Sequence, residues 1–149
     1  MDRSFVAENA RELDRLKLLV ARLSDRQLAT MVNEYWSVAG VLGHMAFWDG
    51  CALFLAGKLA RGEPLSPSDE VSGNVDWIND STRPLIHAVV PRAMAELAVA
   101  IAKETDDLVA SLAPEVLGQL DERSPLNPVR AQHRGEHLDE IEAALAAVG

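Results

Sequence analysis

From Val38 to Arg61 the chain runs without a proline, and apolar side chains return every three or four residues at Val38, Val41, Leu42, Met45, Trp48, Ala52, Leu55, Ala56 and Leu59. That spacing describes one long helix and no strand, since strand side chains change face at every residue. Ser37 stands where an N-cap belongs, Lys58 and Arg61 set positive charge against the C-terminal end of the helix dipole, and Gly62 followed by Pro64 stops it.

The rest of the chain repeats the pattern. Val6, Ala10, Leu13, Leu16, Val20 and Leu23 predict a first helix over about Ser4 to Leu23, and Ser24 and Asp25 are good capping residues for a short extra turn. Residues 62–73 are rich in Gly, Pro, Ser and acids and read as a loop, and NVDWIND reads as a short helix that Thr82, Arg83 and Pro84 interrupt. A third long helix is expected over about Leu85 to Leu112, with Pro91 either kinking it or marking its true start. Asn127 as N-cap and Pro128 at the first helical position then open a fourth, running to about Val148. No alternating β-branched run competes, so the expectation is an all-α fold, an up-and-down four-helix bundle in one domain spanning 1–149. In that topology the second and fourth helices run parallel.

At 149 residues a second core would leave each half too small to stand alone, and 48% hydrophobic with 25% charged residues is an ordinary globular balance. A net charge of −9 repels phosphate backbones and anionic membrane surfaces, so neither nucleic acid nor membrane is an expected partner. The first residues, MDRSFVAENARELDR, resemble neither a secretory signal nor a membrane span, which makes the cytoplasm the expected location. Cys51 is the only cysteine, so a bound metal would rest on nitrogen and oxygen ligands.

The fourth helix carries the chemistry. Leu138, Ile141, Leu145 and Val148 define its inward face, and projecting that face backward meets His137, Arg134, His133 and Arg130. Unpaired imidazole and guanidinium groups turned toward a core cost on the order of several kcal/mol, so this stretch requires partners. His133 and His137, four residues apart, lie one turn apart on one side of the helix and can aim at a common point. His44 flanks the stripe of the second helix beside Val41 and Trp48 and can face the same interior. Three neutral imidazoles suit a divalent ion such as Zn²⁺ or Ni²⁺ and leave a coordination position open for a small molecule, which is the composition of a catalytic site rather than a closed structural one.

With these residues in view, WSVAGVLGHMAFWD around His44 and HRGEHLDEIEAAL some ninety residues later together resemble the DinB/YfiT-like superfamily, over essentially the whole chain. The resemblance implies a four-helix bundle, often a homodimer, with a divalent metal on His44, His133 and His137. Its characterised members include bacillithiol-type S-transferases and mycothiol-dependent maleylpyruvate isomerase, in which the metal is thought to activate the thiol of a low-molecular-weight cofactor. The expected function is accordingly a metal-dependent, thiol-dependent S-transferase or a related metal-assisted nucleophilic catalyst acting on a small molecule.

Arg134 projects toward the centre of the inward face, where it either grips a substrate carboxylate or pairs with Asp49 or another bundle carboxylate. Trp48 either walls the pocket or is plain core, and Glu136, Asp139 or Glu140 can accept the second ring N–H of a ligand histidine or remain solvated. His87 is a weaker candidate for the site, and Cys51, two turns beyond His44, reads as a small buried residue. No catalytic residue is assigned. Two other readings stay open: a non-catalytic metal- or ligand-binding bundle, such as a sensor or sequestering protein, and a metal-free interaction module with internally hydrogen-bonded histidines.

Overall fold

The structure, a computed structural model, describes residues 2–71 and 73–149. It is all-α, as the periodicity predicts, but it is not the up-and-down four-helix bundle. The described residues form seven α-helices, five of them substantial: α1 (Ser4–Arg22), α2 (Asp25–Leu28), α3 (Val38–Ala60), α4 (Asp76–Ala88), α5 (Pro91–Ser111), α6 (Pro114–Leu117) and α7 (Ala131–Val148).

The departure lies in α4. The interrupted short helix expected before Thr82 instead runs on through Pro84 to Ala88, and Pro91 is the true start of α5. Asp80 and Pro84 are both exposed, so water can take the carbonyl that the proline leaves without a helical donor. Because α4 packs back along α3, with Trp48 against Asn79 and Gly43 against Ile86, it returns the chain to the level where α3 began. α5 therefore runs parallel to α3, matching Gly43 to Met94 and Asp49 to Thr105.

The other directions follow from side-chain pairs. α1 and α5 are antiparallel, since Arg3 reaches the carbonyls of Ala110 and Leu112 while Arg92 reaches those of Val20 and Leu23. α1 and α7 are parallel, Asn9 meeting Arg130 and Arg15 meeting Asp139 and Glu142. The second and fourth helices of the expected bundle, α3 and α7, are consequently antiparallel and not parallel.

The core has two apolar halves. One gathers Leu13, Leu16, Leu19, Leu42, Met45, Ala98, Leu138 and Ile141 between α1, α3, α5 and α7. The other gathers Phe5, Leu55, Val109, Leu112, Leu117 and Leu126 at the opposite end. Each fully buried large side chain contributes roughly 1.5–3 kcal/mol. Among the described residues α3 alone is long and apolar enough to cross a membrane, and 61% of that window is buried inside the fold against the neighbouring helices.

At mid-height Asn9, Asp49, Thr105 and Arg134 are buried polar residues. Asn9 sets where α7 begins. Its Oδ1 accepts from the backbone N–H of Arg130 at 2.8 Å and of Ala131 at 2.9 Å, and its Nδ2 donates to the carbonyl of Pro128 at 2.9 Å. The cap thus comes from α1 and not from Asn127, whose side chain accepts only from Val129 N, and the helix starts at Ala131 rather than Pro128.

Candidate metal centre

The late start of α7 places the histidines. His133 and His137 occupy its first two turns, partway along the bundle, where the antiparallel α3 presents His44 in its second turn. The three rings converge: centroids lie 5.3 Å apart for His44 and His133, 4.7 Å for His44 and His137, and 4.7 Å for His133 and His137. One nitrogen from each falls within 4.8 Å of the others.

The separation of His133 Nε2 and His44 Nε2 is 3.4 Å. Two imidazole nitrogens bound at about 2.0–2.1 Å to one tetrahedral ion stand roughly 3.3–3.4 Å apart, so this pair already has a ligand spacing. His137 is turned the same way by its other nitrogen: Nδ1 meets Glu140 Oε2 at 2.9 Å, leaving Nε2 toward the cluster. A carboxylate on the far nitrogen fixes tautomer and ring angle. Trp36 closes one side, its ring 5.6 Å from that of His44 in an edge-on contact.

Burial, followed by the neighbouring His137, holds the His44 pKa down to about 4. The same two causes, with lesser contributions from Arg130, His44 and Arg134, hold His133 at about 3. Both rings are therefore neutral at pH 7, with a lone pair available. His133 Nδ1 is buried and has no hydrogen-bond partner among the described residues. On the side where the three rings meet, the one protein contact is the 3.4 Å approach of two Nε2 atoms, so the converging nitrogens are poorly satisfied by the protein alone. The donor set fits a divalent ion.

The remaining candidates separate. Arg134 does not reach toward a substrate: it is fully buried, with Nε on Asp49 Oδ2 at 2.9 Å and both Nη groups on Asp106 at 2.8 Å. Glu136 is exposed and accepts only from Gln132, so Glu140 takes the orienting role, while Asp139 pairs with Arg15 at 2.6 Å. Trp48 donates Nε1 to Asn79 at 2.9 Å and ties α3 to α4. His87 stays outside the cluster, its ring tilted against that of Trp36 at 5.5 Å, with Nε2 accepting from Ser37 N. Cys51 is half-buried, and burial pushes its thiol pKa up against the opposing pull of Arg130.

Sequence reading missed Asn9, Asp106 and Trp36. Asn9 among the apolar positions of α1 was the one available signal, because a buried amide requires partners. Comparison with protein-family models, curated proteins and solved structures finds no match.

Proposed function

We propose that His44, His133 and His137 hold one divalent metal ion and that the protein is a metal-dependent catalyst of the DinB/YfiT-like class, most simply a thiol-dependent S-transferase acting on a small electrophile. The observation that carries this reading is the convergence of three imidazoles from two helices, with one nitrogen from each within 4.8 Å of the others and two Nε2 atoms 3.4 Å apart.

When bound, the ion would act as a Lewis acid, lowering the pKa of a thiol or water so that a nucleophile exists at neutral pH. The chain supplies the rest. His44 and His133 stay neutral because they are buried, Glu140 holds His137 in one tautomer, and Trp36 shields the cluster from solvent on one side.

Metal content decides first. Protein purified without an affinity tag should carry close to one equivalent of zinc, nickel or another divalent metal by elemental mass spectrometry. His137→Ala should lose it while keeping its helical circular dichroism. Retention of full metal by each of the three single alanine variants would sink the centre, and a metal-loaded protein that turns over no thiol and electrophile pair would be a binder instead.

A further inference from the structure

Further along α3 from His44 lies a cavity of about 880 Å³, within the range of small-molecule sites, whose lining includes none of the three histidines. It opens between α3, residues 68–71, Val75 and residues 122–130, and its walls are mostly apolar: Phe47, Cys51, Phe54, Leu55, Val75 and Ile101. The α3 residues continue the face of His44 toward the C-terminal end of the helix, and Arg130 stands three residues, a rise of about 4.5 Å, before His133.

Two charged side chains are set deep in this wall, Asp69, which is paired with Lys58 at 2.7 Å, and Arg130. The Arg130 side chain is only 11% exposed, and its Nε donates to Asp49 Oδ1 at 2.8 Å. Among the described residues its two Nη groups have no acceptor and neither is sealed from solvent, and Arg130 lines the cavity. Arg134, by contrast, spends every nitrogen on Asp49, Asp106 and the Ala102 carbonyl. A guanidinium with both Nη groups unengaged is a fork for a planar oxyanion. At the mouth the exposed Glu70, Glu122 and Arg123 sum to one negative charge, which disfavours an anion there.

We infer that the cavity binds a small apolar monocarboxylate, of aryl-alkyl or medium-chain acyl type, with its carboxylate on Arg130 Nη1 and Nη2 and its tail against Phe47, Cys51, Phe54 and Leu55. That this ligand is a substrate rests on the metal-centre reading; that it binds does not. Seated there, its carboxylate end lies at Arg130, three residues before His133, and its tail points away from the histidines.

The test uses metal-free protein in chelator, with 4-phenylbutyrate and the neutral 4-phenylbutanol as probes. Calorimetry should give at least tenfold tighter binding for the acid, and the acid should slow alkylation of Cys51, the only thiol, in a saturable way. Arg130→Gln should bring acid and alcohol to equal affinity. A β-carbon at Gly50 would meet nothing within 4 Å, so Gly50→Leu should fold normally, fill the cavity and remove binding of both probes. Should Arg130→Gln fail to fold, the acid-to-alcohol ratio in wild type and the Gly50→Leu result decide. Equal affinity for acid and alcohol, absence of binding, or binding unchanged in Gly50→Leu overturns the inference. Normal metal content without carboxylate binding defeats this inference alone, and carboxylate binding in a chain that takes up no metal defeats the metal centre alone.

Discussion

Arg134 shows how a residue's surroundings decide between two chemically reasonable roles. The helix period placed it at the centre of the inward face, and a substrate carboxylate, Asp49 or another bundle carboxylate would have balanced it. Burial decided for Asp49 and Asp106, which no sequence spacing links to α7. Removing the guanidinium leaves two carboxylates short of a partner, and breaking a buried pair from one side costs about 3–5 kcal/mol. Arg134→Met should lower the urea unfolding free energy by that order, and Arg134→Lys should recover only part of it because an ammonium cannot bridge both acids. The histidines make a second prediction. An unfolded histidine titrates near 6.5, whereas His44 and His133 fold with pKa values of about 4 and about 3. Below pH 6.5 the unfolded chain takes up protons that the folded chain refuses, so their contribution is fully present above 6.5 and falls as pH drops through about 4 for His44 and about 3 for His133. Chelator-treated protein should lose stability between pH 7 and pH 4.5, and the double variant His44→Gln/His133→Gln should flatten that slope in urea titrations.

At the scale of elements, the sequence was most legible where a stripe was long and its ends were marked. α1, α2 and α3 begin where their spacing and caps predict, with Ser24 and Ser37 both accepting from the first helical turn. It was least legible where stability comes from a partner helix. α4 carries Asp80, Thr82 and Pro84, poor helix formers, and is held by contact with the small residues of α3. α7 begins where Asn9 caps it, a contact across the fold that no local pattern encodes. The two glycines of α3 under α4 follow from this. A β-carbon at Gly43 would lie 2.4 Å from Ile86 Cγ2, and one at Gly40 2.4 Å from His87 Nε2. Gly43→Ala should therefore destabilise, because Ile86 is branched and buried, even though alanine is the better helix former. Gly50→Ala, in open space on the same helix, should gain up to about 1 kcal/mol from helix propensity alone. Opposite shifts in melting temperature for these two variants are the expected result, and a stabilised Gly43→Ala would show that α4 is not held against α3 as described.

For the whole molecule, the returning α4 governs the site. An up-and-down chain would have run α3 and α7 in the same direction, and the level of His44 would have matched the pair by counting turns from the helix starts. The observed directions are opposite, and the rings meet because α7 starts partway along the bundle, below the level of His44 and above the apolar end formed by Phe5, Leu117 and Leu126. The identity of the three residues was readable in the sequence, while the topology that joins them was not. Since the three rings belong to helices separated by some ninety residues, an ion on all three would couple α3 to α7 and bind only the folded chain. A ligand with that property stabilises by mass action, by about 2.7 kcal/mol at a hundred times its dissociation constant. In a chain of this size that corresponds to a rise of roughly 5–10 °C in melting temperature. Calorimetric scans of chelated protein with added zinc or nickel should show the rise and its reversal by EDTA. The His44→Ala variant, which keeps the pair on α7 but breaks the link to α3, should respond far less than wild type. An equal rise in both would mean that the ion bridges nothing and sits on α7 alone.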